Sequence, residues 1–124
     1  MIKAGFRSLL VWQKARDLAI TIYKTTAQDR LSRDFALVDQ IRRAAVSIPS
    51  NIAEGDERGT DKESIRFFYI AKGSLAELIT QLEIAFLVGY ITREEWQILD
   101  EECASLGKML SALIKARSRS KPNV

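Results

Sequence analysis

The stretch Gln40-Ile41-Arg42-Arg43-Ala44-Ala45-Val46-Ser47-Ile48-Pro49-Ser50-Asn51-Ile52-Ala53-Glu54-Gly55 decides the fold class. Val38, Ile41, Ala45, Ile48 and Ile52 recur at alternating steps of three and four, which draws one apolar stripe along an α-helix. Gln40, Arg43, Ser47, Ser50, Glu54 and Arg58 repeat with similar spacing and form a polar stripe beside it. Pro49 lies inside the pattern, where it removes the amide that would reach the Ala45 carbonyl and costs about 3 kcal/mol. The pattern therefore predicts a helix kinked at Pro49, its freed carbonyl met by Ser47, Asn51 or a partner side chain.

The same period continues on both sides. A first helix is expected from Val11 to Ala27, with Val11, Ala15, Leu18 and Ile22 inward and Trp12, Ala19 and Tyr23 widening the face. The second runs from Phe35 to Arg58 and meets Gly59, a suitable residue for a left-handed cap. Thr60 or Asp61 caps a third helix that reaches Val88, with Glu63 in the capping-box position after Thr60. Gly89 stops it, and Thr92 with Glu95 opens a fourth. In the fourth, Trp96, Leu99, Cys103, Leu106, Leu110 and Leu113 keep a bundle rhythm. Short loops between long helices predict an all-α, antiparallel up-down-up-down four-helix bundle over residues 1–114, followed by a basic, disordered tail over 115–124. The third helix is apolar on nearly two stripes. It either touches two neighbours or, with Trp12 or Tyr23, lies at a subunit interface.

The run RRAAVSIPSNIAEG, residues 42–55, resembles the signature of the 23S ribosomal RNA intervening-sequence protein family of small bacterial four-helix bundles. Val11-Trp12-Gln13-Lys14-Ala15, Leu18 and Tyr23 resemble its first helix, Phe67, Ala71, Gly73-Ser74 and Glu77-Leu78 its third, and Gly89-Tyr90-Ile91 the turn after it. Between Asp29 and Asp34 the chain lacks the Phe-Pro that many members place there. The resemblance implies a ring-like homo-oligomer, a pentamer, and it implies no known activity. The family's context in ribosomal RNA insertions, and related proteins that serve retroelement reverse transcriptases as accessory subunits, point toward RNA or DNA as a partner.

Composition sets further limits. The chain has 124 residues, no histidine and one cysteine. Absence of histidine removes His-based acid–base catalysis, Ser-His and Cys-His nucleophile pairs, and the Glu-x-x-His motif of di-iron bundles. No phosphate-binding loop or dinucleotide fingerprint occurs, so the expectation is a protein that is not an enzyme and has no cofactor or metal. A lone Cys103 on an apolar stripe suits packing and a reducing cytoplasm. No apolar run approaches the ~20 residues of a membrane span, so no membrane partner is expected.

A turn near Gly59 folds the second and third helices into a hairpin whose facing residues have numbers summing to about 120. That register sets Arg43 opposite Glu77, Glu54 opposite Arg66 and Ser47 opposite Gly73, where the missing side chain permits close approach. Gln40, Arg43, Ser47, Asn51, Glu54, Arg66, Ser74 and Glu77 are thus expected to form a hydrogen-bonded polar seam. A seam fixes register. It serves acid–base chemistry poorly, because a paired carboxylate has a depressed pKa; Arg42 and Arg43 offer it a third use, holding a small anion.

Charge is segregated along the chain. Residues 1–43 carry nine basic and four acidic side chains, residues 44–103 five and twelve, and residues 104–124 five and none. Arg30, Arg33, Arg42, Lys115, Arg117, Arg119 and Lys121 are the candidate phosphate contacts. Basic residues at a helix C-terminus also complement its dipole. Two functions follow: a nucleic-acid-associated accessory protein that uses its basic ends, or a structural oligomer that docks another protein and has no nucleic-acid role.

Overall fold

The computed structural model describes residues 5–119. Among them are four α-helices and no strand: α1 (Leu10–Thr26), α2 (Phe35–Asp56), α3 (Asp61–Leu87) and α4 (Arg93–Arg119), with 3-10 turns at Gly5–Ser8 and Leu31–Arg33. The apolar stripes read from the sequence meet in one core. Ile22, Leu31, Ile41, Ile48, Ile52, Phe68, Leu78 and Leu110 are fully buried there, and each such side chain contributes roughly 1.5–3 kcal/mol by leaving water. The helices pack in cyclic order, α1 on α2, α2 on α3, α3 on α4 and α4 on α1. Most of the wide apolar face of α3 packs on its two neighbours, α2 and α4, while Ile70, Ile84 and Leu87 stay exposed.

Helix ends follow local chemistry. Thr92 and Glu95 form a reciprocal capping box at α4, with Thr92 N donating to Glu95 Oε1 at 2.8 Å and Glu95 N to Thr92 Oγ1 at 3.1 Å. At α3 only half of the box forms, Glu63 N donating to Thr60 Oγ1 at 3.2 Å. Gly89, at φ +88, turns the chain out of α3 as expected. Gly59 has no such role, because α2 ends earlier at Asp56 and Gly59 is not left-handed. In place of the Phe-Pro, Leu31–Arg33 forms a single 3-10 turn that buries Leu31 completely.

α2 stays helical on both sides of Pro49. Asn51, an expected donor to the freed Ala45 carbonyl, donates instead to the Ser47 carbonyl at 2.8 Å, and Ser50 Oγ donates to the Val46 carbonyl at 2.8 Å. Side-chain donors therefore reinforce the two carbonyls that follow the one Pro49 leaves free. α4 also outruns its expected boundary at 114. It continues through Lys115 and Arg117 to Arg119 because Ile114 is buried and Arg117 is anchored to α2. Lys121 lies outside the described residues.

Candidate functional site

The polar seam between α2 and α3 keeps the expected register. Ser47 Oγ lies 2.8 Å from Ser74 Oγ, Asn51 Nδ2 donates to Ser47 Oγ at 3.0 Å, and Ser64 Oγ donates to the Gly55 carbonyl at 2.6 Å. The expected ion pairs across it do not form. Arg43 pairs with Asp39 at 2.9 Å, and Glu54 with Arg58 at 2.6 Å, each one turn away on α2 itself. Gln40, Arg43, Glu54, Arg66 and Glu77 are all exposed, and an exposed side chain takes the partner its own helix holds one turn away at little entropic cost. Arg66 packs its guanidinium 5.7 Å from the Phe67 ring centroid. The charged part of the seam is therefore a solvated rim, and its half-buried centre is the Ser47–Ser74–Asn51 cluster.

Gly73 does not make the close approach. A Cβ there would meet nothing within 4 Å. The tight contact is at Gly55, where a Cβ would fall 2.6 Å from Phe68 Cε1 and 2.9 Å from the Ser64 carbonyl oxygen.

The candidate phosphate contacts divide by what already holds them. Arg42 Nε donates to Thr26 Oγ1 at 2.8 Å and its guanidinium stacks 4.4 Å from the Tyr23 centroid, which ties α1 to α2. Arg117 Nη2 donates to Asp56 Oδ1 at 2.6 Å in a pair only 23% and 15% exposed, and packs over Phe68. Arg30 lies 6.0 Å from the Tyr90 centroid, while Arg33 is exposed at the end of its 3-10 turn. Lys115 and Arg119 are exposed on one wall of an α3–α4 groove of about 440 Å³, with Tyr69 and Lys72 on the other. Tyr69 and Lys72 were absent from the sequence-derived set. The signal that finds them is the register arithmetic applied to the turn between Leu87 and Arg93, whose sum of about 180 sets Lys72 within one helical turn of Ser111, where Lys72 Nζ donates to Ser111 Oγ at 3.3 Å.

A second groove, of about 640 Å³, runs between α1 and α2 and is almost wholly apolar. Phe6, Trp12, Ile20, Tyr23, Val46 and Pro49 line it, with Arg16 and Lys24 at its rim.

Two groups titrate away from their ordinary range. Tyr90 Oη donates to Asp34 Oδ2 at 3.0 Å, while Asp34 Oδ1 accepts from Leu37 N and caps α2. That hydrogen bond, and then the carboxylate charge, raise the Tyr90 pKa. Burial, followed by the nearby Asp100 and Glu102, pushes the Cys103 thiol from an ordinary value near 9 up to about 12. Both folded values lie above the unfolded ones, so both contributions are complete at neutral pH and disappear as pH rises through the folded values. The urea midpoint is thus expected to hold steady from pH 7 to about 8.5 and to fall progressively above it, as the unfolded thiol begins to ionise. A midpoint unchanged up to about pH 11 would contradict the burial of Cys103 and the Tyr90–Asp34 bond together.

Among the described residues no group of three or more His, Cys, Asp and Glu side chains is placed to hold a metal ion, and no helix is long and apolar enough to cross a membrane.

The profile of the 23S rRNA-intervening sequence protein family matches residues 7–112. A crystal structure of a protein of unknown function from the S23 ribosomal protein family of Bacteroides thetaiotaomicron VPI-5482 is similar at 28% identity and a TM-score of 0.79, covering 86% of this chain and 99% of that one. No curated protein matches the chain.

Proposed function

We propose that this chain, which belongs to the 23S rRNA-intervening sequence protein family, is a non-catalytic, up-down-up-down subunit of a ring-like homo-oligomer, a pentamer in the cytoplasm, that holds RNA or DNA weakly and without sequence preference as an accessory factor. The observation that carries the nucleic-acid half is the polarity of charge along α3 and α4. α4 opens with Glu94, Glu95, Asp100, Glu101 and Glu102, then carries Lys108, Lys115, Arg117 and Arg119 with no further carboxylate. Lys62, Arg66 and Lys72, with Asp61 and Glu63 in the first turn, lie on the part of α3 beside that basic half. Dipole complementation acts within the last turn of a helix. It accounts for Arg117 and Arg119 and leaves Lys108 and Lys72 unexplained, whereas a phosphate-binding surface uses all of them but Arg117, which Asp56 holds. Several copies in a ring multiply a weak contact by raising effective concentration.

Self-association is supported by two unlike surfaces. The α1–α2 groove is apolar with a basic rim. Across the subunit, Ile84, Leu87, Val88 and Ile98 are exposed around the α3–α4 turn, among the exposed carboxylates Glu83, Glu94 and Glu101. Ridge and groove are complementary in charge and cannot meet within one subunit, since α1–α2 and α3–α4 form opposite sides of the bundle. A head-to-tail contact of this kind closes into a ring when the rotation from subunit to subunit divides a full turn evenly. The same groove also favours a second reading, a scaffold that docks a different protein there and takes no nucleic acid.

The test is anisotropy of a labelled RNA titrated with the intact protein across a salt series. Three phosphate contacts to single-stranded RNA give a slope of log K on log salt of about −2. Arg117→Ala is the control. It removes a largely buried ion pair and is expected to cost roughly 2 kcal/mol of stability while leaving the salt slope unchanged. Absence of binding at about 50 mM salt, where the electrostatic term is strong, would leave the scaffold reading in its place.

A further inference from the structure

We infer that the α3–α4 groove is a single-strand site: Lys72, Lys115 and Arg119 hold phosphate and Tyr69 is a stacking platform for an unpaired base. This rests on the nucleic-acid reading above and names its site and substrate class. The groove has the three components such a site needs in one place. Lys115 and Arg119 stand on α4 and Lys72 on α3, so cations flank the groove on both walls. Tyr69 is 57% exposed at its lip, so its ring face is open to a base entering from solvent. Ile114 is buried beneath and gives the groove an apolar floor.

The polar groups are set for an anion. Lys72 Nζ lies over the Tyr69 ring, 5.9 Å from its centroid, so the cation and the ring sit together. Its one hydrogen bond goes to Ser111 Oγ, which leaves further ammonium protons for phosphate oxygens, and the Ser111 hydroxyl proton remains available to donate. Ser118 Oγ already donates to the Ile114 carbonyl at 2.8 Å and can only accept. Among the described residues no carboxylate lines the groove, so none of them repels phosphate there. At about 440 Å³ it falls within the size range of small-ligand sites. A base in a duplex is already stacked on its neighbours and cannot turn onto Tyr69, whereas every unpaired base has a free π-face. Duplex RNA is left with the cations alone.

The experiment uses the full chain, a labelled oligouridine and a duplex RNA of equal length, with both affinities measured across salt. Tyr69→Ala is expected to weaken oligouridine about tenfold and to leave the duplex unchanged. Tyr69→Phe keeps the ring and is expected to bind as the parent does. Replacing Lys115 and Arg119 together by Ala is expected to weaken both RNAs and to lower the single-strand salt slope by about 1.4. All three residues are exposed, and melting curves confirm that each variant folds. Unchanged oligouridine binding by Tyr69→Ala, or equal loss on both RNAs, would overturn the single-strand site while general nucleic-acid binding stands. Failure of the parent to bind either RNA would overturn both.

Discussion

Gly55→Ala is expected to lower the melting temperature by about 10 °C, and Gly73→Ala to raise it by a few degrees, although both replace a helical glycine by the best helix former. Helix propensity alone favours each change by up to about 1 kcal/mol. At Gly73 nothing opposes it, since the new methyl meets no atom within 4 Å. At Gly55 the methyl would sit 2.6 Å and 2.9 Å from two carbons of the Phe68 ring and 2.9 Å from the Ser64 carbonyl oxygen. The ring cannot turn away, because Phe68 is fully buried with Arg117 over it. The backbone cannot yield cheaply either, because Ser64 Oγ donates to the Gly55 carbonyl at this same crossing. Overpacking of this kind costs about 1–3 kcal/mol and more where backbone must shift, so the steric term exceeds the propensity gain. Thermal unfolding of the two variants beside the parent decides it. A stabilised Gly55→Ala would mean that α2 and α3 are not this close.

The two glycines show what was legible. The spacing of apolar residues gave four helices, and the turn position set Ser47 opposite Gly73, one residue from the observed Ser74, because periodicity and turn position depend on local sequence alone. Register does not fix how far each helix is rotated about its axis, and that rotation put Gly55 rather than Gly73 in the crossing. Arg43 and Glu54 failed as cross-helix partners for a related reason. Each has an opposite charge one turn away on α2, and at a solvated rim the nearer partner wins. Arg117 reads as one more residue of a basic tail, yet Asp56 and Phe68, far away in sequence, make it structural. The Tyr69–Lys72–Lys115–Arg119 groove depends on two helices whose facing residues are some forty positions apart. Charge counting sees its α4 half only.

Val46→Glu and Leu87→Glu are each expected to break the proposed ring into subunits, and mixing the two variants is expected to give dimers. Val46 lines the α1–α2 groove and is 41% exposed, while Leu87 stands on the α3–α4 ridge and is 70% exposed. Neither belongs to the subunit core, so a carboxylate at either position leaves folding intact. Inside a closed interface the same carboxylate lies unpaired in an apolar site, at a cost of several kcal/mol, and every junction of the ring carries it. A head-to-tail junction needs one groove and one ridge. Val46→Glu retains a sound ridge and Leu87→Glu a sound groove, so one intact junction forms between the two variants and the assembly stops there. A symmetric groove-to-groove contact predicts otherwise: Leu87→Glu would keep the parent's mass, and mixing would rescue nothing. If the parent and both variants share one mass by light scattering, the groove does not serve self-association, and an apolar surface of this size then belongs to a different protein partner.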